Sequence, residues 1–339
     1  MQQLDLFTLA TPARRPDATI PEFASYDKVV VSFSGGKDSI ACLLHLLDQG
    51  VTNIELWHNS VDGDGQNLFD WRCTHAYVKA FAAAFGLPLY FSYKVGGFER
   101  EMLRNAAPTA PIYFETPDGS SQVGGTSTSL GTRLKFPQLS ADLSVRWCSA
   151  YLKIDVAAAA LRNQDRFLGK RTLFVTGERA QESPARAKYQ TFEPHRTDNR
   201  DGSRRARHVD HWRPVHAWSE EDVWAIIERY RVQYHPAYAL GFGRLSCAKC
   251  IFASPDQWAS LWLIDRPGVQ KLIDYERQFG ITLRRGETLE QTIARGTPYP
   301  MLAADIAAAM SDSWDQPILM EPGTWRLPAG AFGEAAGPT

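Results

Sequence analysis

Short runs of β-branched and apolar residues alternate along the chain with longer stretches whose apolar positions recur every three or four residues. Lys28-Val-Val-Val-Ser-Phe33 is uninterrupted enough to predict a buried parallel strand. Asp38 to Gln49 carries Ile40, Leu43, Leu44 and Leu47 at helical spacing and stops at Gly50. Asn53 to His58 predicts a second strand, and Phe69 to Phe85 a second helix closed by Gly86. Pro88 to Tyr93 reads as a third strand, Asp155 to Asn163 as a helix and Thr172 to Thr176 as a fourth strand. Such alternation predicts an α/β fold, a doubly wound, mainly parallel sheet with right-handed crossovers. Pro108 to Pro137, rich in Gly, Ser, Thr and Pro, reads as a long loop. Past Ser219, whose Glu-Glu-Asp sequel is a capping box, the pattern turns helical through Val223, Trp224, Ile226, Ile227 and Tyr230. Helices are also expected at Gln257–Ile264, Gly268–Phe279 and Met301–Met310. The organisation expected is a loose leader over 1–24, one α/β domain over 25–256, and a helical C-terminal extension with an irregular tail over 257–339.

Composition narrows the function classes. The 37 Lys and Arg residues nearly cancel the 38 Asp and Glu residues, so a globally basic nucleic-acid binder is excluded. A local basic segment, Arg196 to Arg207, remains, with Asp198, Asp201 and Asp210 as candidate counter-charges. A polyanion surface and a solvated loop both fit it. No apolar run approaches the ~18 residues of a membrane span, and Met1 to Pro21 lacks the apolar core of a secretory signal. The expectation is a cytoplasmic protein with no membrane partner. In that reducing compartment the five cysteines are expected free, metal-bound or catalytic.

The densest chemistry lies between the first strand and the first helix. In Ser34-Gly35-Gly36-Lys37-Asp38-Ser39 the glycines permit a tight turn and close approach to an anion. The unpaired N–H groups of the helix start favour negative charge, and Lys37, Ser34 and Ser39 add donors. The spacing is not that of the Walker loop.

This loop resembles the pyrophosphate loop of the adenine nucleotide alpha-hydrolase superfamily, and the chain is similar within it to the phosphoadenosine phosphosulfate reductase family. Four further blocks carry the resemblance: Arg146-Trp-Cys-Ser-Ala-Tyr-Leu-Lys153; Gly177-Glu-Arg-Ala-Gln-Glu-Ser183 with Arg186; Trp212 to Trp224; and His235-Pro-Ala-Tyr238 with Gly241 and Cys247-Ala-Lys-Cys250. The resemblance implies that Ser34 to Ser39 hold the phosphate or sulfate end of ATP, or of phosphoadenylylsulfate or adenylylsulfate, with magnesium. It implies that Lys37, Asp38, Arg179 and Arg186 act on that group. His58 and Asn59 would lie near the adenosine, with Gly177, Glu182 and Ser183 completing the site. Glu182 would orient an arginine or help hold magnesium.

Cys148, Cys247 and Cys250 are the candidate metal ligands, for a four-iron cluster or for zinc; a metal-free pair is the other reading. Adenylylsulfate reductases in the family carry a Cys-Cys pair before their Cys-x-x-Cys. Here Trp147 stands beside Cys148, so a fourth ligand would come from Cys73, from a histidine such as His235, or from outside. Cys42 reads as a core residue. The family's reductases use a cysteine in a C-terminal tail as the nucleophile, and no cysteine follows Cys250 here. The expected activity is therefore ATP-dependent sulfur transfer, with DNA or transfer RNA as acceptor and a cysteine desulfurase as donor. The alternatives are a phosphoadenylylsulfate or adenylylsulfate reductase with an unusual nucleophile such as Cys73, and a nucleotide-binding module with a structural metal.

Overall fold

The computed structural model describes residues 20–333 except 65, 66, 141 and 246, so most of the expected leader lies outside the described residues. Eight strands form one sheet: β1 (Lys28–Ser32), β2 (Ile54–Asn59), β3 (Leu89–Lys94), β4 (Ile112–Thr116), β5 (Gly119–Val123), β6 (Arg171–Val175), β7 (Phe192–Pro194) and β8 (His208–Trp212). Their order is β5-β4-β3-β2-β1-β6-β8-β7. The five central strands, β3 to β8 in that order, are parallel, and β4, β5 and β7 add antiparallel edges. This is the doubly wound α/β fold expected, and a helical C-terminal region follows it.

Burial explains the near-continuous apolar strands. On β1, Val29 and Val31 pack with Ile40, Leu43 and Leu44 of α1 (Lys37–Asp48). Val30 points the other way, to Trp57, Phe174, Val209 and Leu161 of α3 (Asp155–Arg162). Helix α2 (Thr74–Phe85) joins the first face through Tyr77, Val78 and Phe81, and α4 (Glu220–Arg229) through Val223 and Ile227. The Ser219 capping box is present: Asp222 N donates to Ser219 Oγ at 3.2 Å, and Ser219 N to the Asp222 carboxylate at 2.8 Å. The C-terminal helices share a third core with the α/β layer, in which Trp258, Leu261, Val269 and Leu272 meet Trp71, Phe98 and Trp147.

Two expectations needed correction. The long loop contains the β4–β5 hairpin, whose Asp118-Gly119 turn is a hairpin signal. β5 is Gly-Ser-Ser-Gln-Val, an exposed edge strand without alternating apolar residues to reveal it. Strand β8 follows the arginine-rich segment and pairs in parallel with β6.

Candidate functional site

Strand order reverses between β1 and β6, because β2 and β3 extend one way and β8 the other. At such a switch point the loops leaving the carboxyl ends of neighbouring strands diverge and open a crevice. The two loops here are Ser34–Ser39 after β1 and Gly177–Ser183 after β6.

The first loop is held from several sides. Gly35 has φ +79°, and a Cβ there would lie 3.0 Å from Val78, so glycine answers both backbone and packing. Ser34 Oγ accepts from Gly36 N at 3.2 Å, and Ser39 Oγ donates to Gly36 O at 2.9 Å. Lys37 N donates to the Tyr238 hydroxyl at 2.9 Å. The Lys37 ammonium is 2% exposed; it donates to Gly243 O at 2.7 Å and sits 3.5 Å from Glu220. Burial opposes its charge, but Asp38, Tyr238 and Glu220 outweigh burial and raise its pKa. His58 props the loop from β2, its Nδ1 lying 2.9 Å from Phe33 O. Asn59 instead accepts from Ser92 at 2.7 Å, on β3.

The second loop locks onto the first. Arg179 Nε donates to Asp38 Oδ1 at 2.5 Å, and its other nitrogens reach Gln181 and Glu220. Gly177 makes this approach possible, since a Cβ there would lie 2.9 Å from the Asp38 backbone. Glu182 accepts from Arg179 N at 2.8 Å and pairs with Arg186, while Ser183 Oγ accepts from Arg186 N at 3.2 Å. Of the two roles foreseen for Glu182, orienting the arginines is the one these contacts describe. Beside it, half-buried Glu178 lies against Thr176, Arg213 and His211. Burial raises its pKa, but His211 and Arg213 more than compensate and lower it.

The segment after His235 joins the loop to the thiols. Tyr238 OH also accepts from Leu245 N at 3.2 Å, and a Cβ on Gly36 would lie 3.3 Å from Leu245. Cys247 follows two residues later, no more than about 7 Å along the chain. Cys148, Cys247, Cys250 and Asp70 all lie within electrostatic reach of the Lys153 ammonium. The chain is π-helical over Ala150–Ile154, and this wider turn carries Lys153 round towards Cys148. Burial, with Cys250 second, pushes the Cys148 thiol up to about 11. This donor set suits a soft metal. Among the described residues no three His, Cys, Asp or Glu side chains are gathered so as to hold a metal ion.

Cys42 is buried in the core, as expected. Cys73 is also fully buried, with its sulfur 3.2 Å from His235 Nε2. Ala237 N donates to His235 Nδ1 at 3.2 Å, so Nε2 carries the ring proton and turns it towards Cys73 and Thr74. This is poor placement for a nucleophile. A thiol reagent is therefore expected to label three cysteines of the native protein, Cys148, Cys247 and Cys250, and all five after unfolding. Peptide mapping checks this; label on native Cys73 would contradict it.

The arginine-rich segment is largely neutralised. Arg196 pairs with Asp155, Arg200 with Asp198 and Asp210, and Arg205 with Asp165; Arg207 donates to Thr197 O. These contacts match the solvated-loop reading better than a polyanion surface.

Residues not singled out beforehand close the site: Glu220, Tyr238, Asp70 and Glu178. Tyr238, Glu178 and Glu220 stood inside the recognised blocks without a role of their own, and Asp70 stood outside them.

Buried titratable groups set a pH dependence. Burial pushes His58, His195 and His235 down to about 3 and His211 to about 4. Their stabilisation is complete above about pH 6.5 and is lost as pH falls towards 3, because the unfolded rings take up protons first. Asp62 and Asp70 are pushed up by burial to about 7 and about 6, so they favour folding at low pH and lose that as pH rises through those values. The histidines outnumber the two carboxylates. Urea titrations should therefore give an unfolding free energy that falls from pH 6.5 to 4.5, and Asp62→Asn should steepen the fall. A flat profile would contradict these assignments.

Residues 133–253 match the phosphoadenosine phosphosulfate reductase domain. Over 117 residues the chain is 31% identical to the adenosine 5'-phosphosulfate reductase of Allochromatium vinosum, covering 34% of this chain and 42% of that protein. Over residues 133–253 the chain is thus similar to the phosphoadenosine phosphosulfate reductase family. Over 159 residues it is also 31% identical to an uncharacterized 37.8 kDa protein in the gpa 5' region of Escherichia phage 186, covering 45% and 43% of the two chains. The matches thus span less than half the length of these relatives. Among solved structures, the FMN adenylyltransferase of Candida glabrata in complex with ATP shares 12% identity at a TM-score of 0.38, covering 66% of this chain and 55% of that one. The phosphoadenylyl-sulfate reductase of Candida auris, a phosphate complex, shares 16% at 0.37, covering 67% and 84%. The reductase-family domain includes the arginine and thiol blocks, and the Ser34–Ser39 loop precedes it. Among the described residues no helix is long and apolar enough to cross a membrane.

Proposed function

We propose that this protein is an ATP-dependent sulfurtransferase. The observation that carries the reading is the short connection from the phosphate loop to the thiols: Tyr238 and Leu245 touch the loop, and Cys247 follows within two residues. An acceptor oxygen attacks the α-phosphorus of magnesium ATP; the α–β bond breaks and pyrophosphate leaves with the electron pair. Lys37 and the loop donors stabilise that leaving group. A persulfide on one of the three cysteines, charged by a donor of the cysteine desulfurase class, then attacks the activated centre. AMP leaves with the electrons of the broken bond. A neighbouring thiol releases the sulfur to the acceptor, forming a cysteine disulfide that an external dithiol reduces. The acceptor in this reading is DNA or transfer RNA.

The test incubates the protein with magnesium ATP, a persulfide donor, a dithiol and candidate nucleic acids. Pyrophosphate, AMP and sulfur-labelled acceptor are expected together. Sulfite from adenylylsulfate, with no pyrophosphate from ATP, would replace this reading with the reductase one.

A further inference from the structure

A chain of hydrogen bonds at the switch point ends on one of the two oxygens of Glu178. Arg213 Nη2, which can only donate, lies 3.2 Å from His211 Nδ1. The ring proton is therefore on Nε2, 2.7 Å from Thr176 Oγ1, and the Thr176 hydroxyl donates in turn to Glu178 Oε2. Arg213 Nε faces the same Oε2 at 3.3 Å. Arg213 does not depend on this carboxylate, since Glu193 accepts from its Nη1 at 2.7 Å. Neither Thr176 nor Arg213 engages Oε1, and the Glu178 side chain is 29% exposed. Its chain neighbours hold it to the phosphate loop: Gly177 lies against the Asp38 backbone, and Arg179 donates to the Asp38 carboxylate. Arg186 and, from α1, Cys42 are its other charged or titratable neighbours. A carboxylate with one oxygen occupied by donors and the other not, beside a phosphate loop, is placed to receive a proton.

We propose that Glu178 is the catalytic base of the adenylylating step: its Oε1 takes the proton that the acceptor loses as the acceptor oxygen attacks the α-phosphorus of ATP. This rests on the sulfurtransferase reading and narrows the acceptor. As the new O–P bond forms and the bond to pyrophosphate breaks, the proton passes to Oε1, and the electron pair it leaves behind stays with the acceptor. A lactam base of a nucleic acid sheds such a proton from its ring nitrogen; an ionised phosphodiester has none to shed. Thr176 and His211 are positioning residues. With Arg213 they keep the Glu178 carboxyl below its ordinary range, and so ionised at neutral pH.

Pyrophosphate release from magnesium ATP is measured on the full-length protein with unmodified transfer RNA transcripts, a DNA duplex and a base-free sugar–phosphate oligomer, and ATP affinity is measured by calorimetry. Glu178→Gln keeps the shape and an oxygen for Thr176. It should lower turnover by about 10²–10⁴-fold, the usual contribution of a positioned base, with ATP affinity within about threefold of wild type. Glu178→Ala should lose as much and regain part of it with added formate, a carboxylate small enough for the vacated space; a structural role would give no such rescue. Thr176→Val should move the acid limb of the pH–rate profile upward, because it removes a hydrogen bond that lowers the Glu178 pKa. Turnover of Glu178→Gln close to wild type overturns the proposal, as does a loss in Glu178→Ala that formate leaves untouched. Equal release with the base-free oligomer and the nucleic acids overturns it too. In each of those cases the wild type still turns over, and the sulfurtransferase reading stands. Wild-type protein that releases no pyrophosphate with any acceptor overturns both.

Discussion

Lys37→Met is expected to lower pyrophosphate release by about 10²–10³-fold, the usual loss when a preorganised charge-stabilising donor is removed. An ammonium has three donors, and Gly243 O and Glu220 engage only part of that capacity. What remains is the cation at the head of the phosphate loop. The substitution also strips Glu220 of a counter-charge inside the protein. Arg179 stays 3.9 Å away, and Trp224 Nε1 still donates at 3.2 Å. The stability loss should therefore lie at or below the low end of the ~3–5 kcal/mol typical of breaking a buried pair. Pairing Lys37→Met with Glu220→Gln separates the two effects. The double variant should regain thermal stability and stay inactive. If it regains pyrophosphate release as well, Lys37 serves the fold and not the leaving group.

How much of this was legible in the sequence depends on distance along the chain. The loop after β1 announced itself through adjacent residues, as did the thiol spacing and the Gly177–Ser183 block. The pairing of Lys37 with Glu220 crosses some 180 positions and left no local trace. Tyr238 was visible in its block, but that its hydroxyl takes two backbone amides from separate segments was not. β5 escaped because an edge strand has no apolar face to bury. The arginine-rich segment misled in the opposite sense. Its sequence shows clustered charge, while two of its neutralising carboxylates, Asp155 and Asp165, come from α3 and the turn after it.

Asp38→Ala is expected to be the most disruptive single change near the site, because it removes the main partner of a guanidinium that is 2% exposed. Burial disfavours the Arg179 charge, yet Asp38 and then Glu182 and Glu220 raise its pKa. Without Asp38 the cation keeps the fields of Glu182 and the more distant Glu220, and the neutral Gln181 and Trp218 oxygens. Leaving such a charge uncompensated costs about 3–5 kcal/mol, and Glu220 should hold the loss towards the lower figure. Chemical denaturation should record it. The consequence for binding follows from geometry, since the Asp38–Arg179 pair is what fastens the β6 loop to the β1 loop at the switch point. ATP affinity should fall with stability in Asp38→Ala. Asp38→Asn keeps an oxygen for Arg179 Nε and should recover part of both. If Asp38→Asn restores stability without restoring affinity, the carboxylate charge itself serves the nucleotide, through magnesium rather than through the position of the loop.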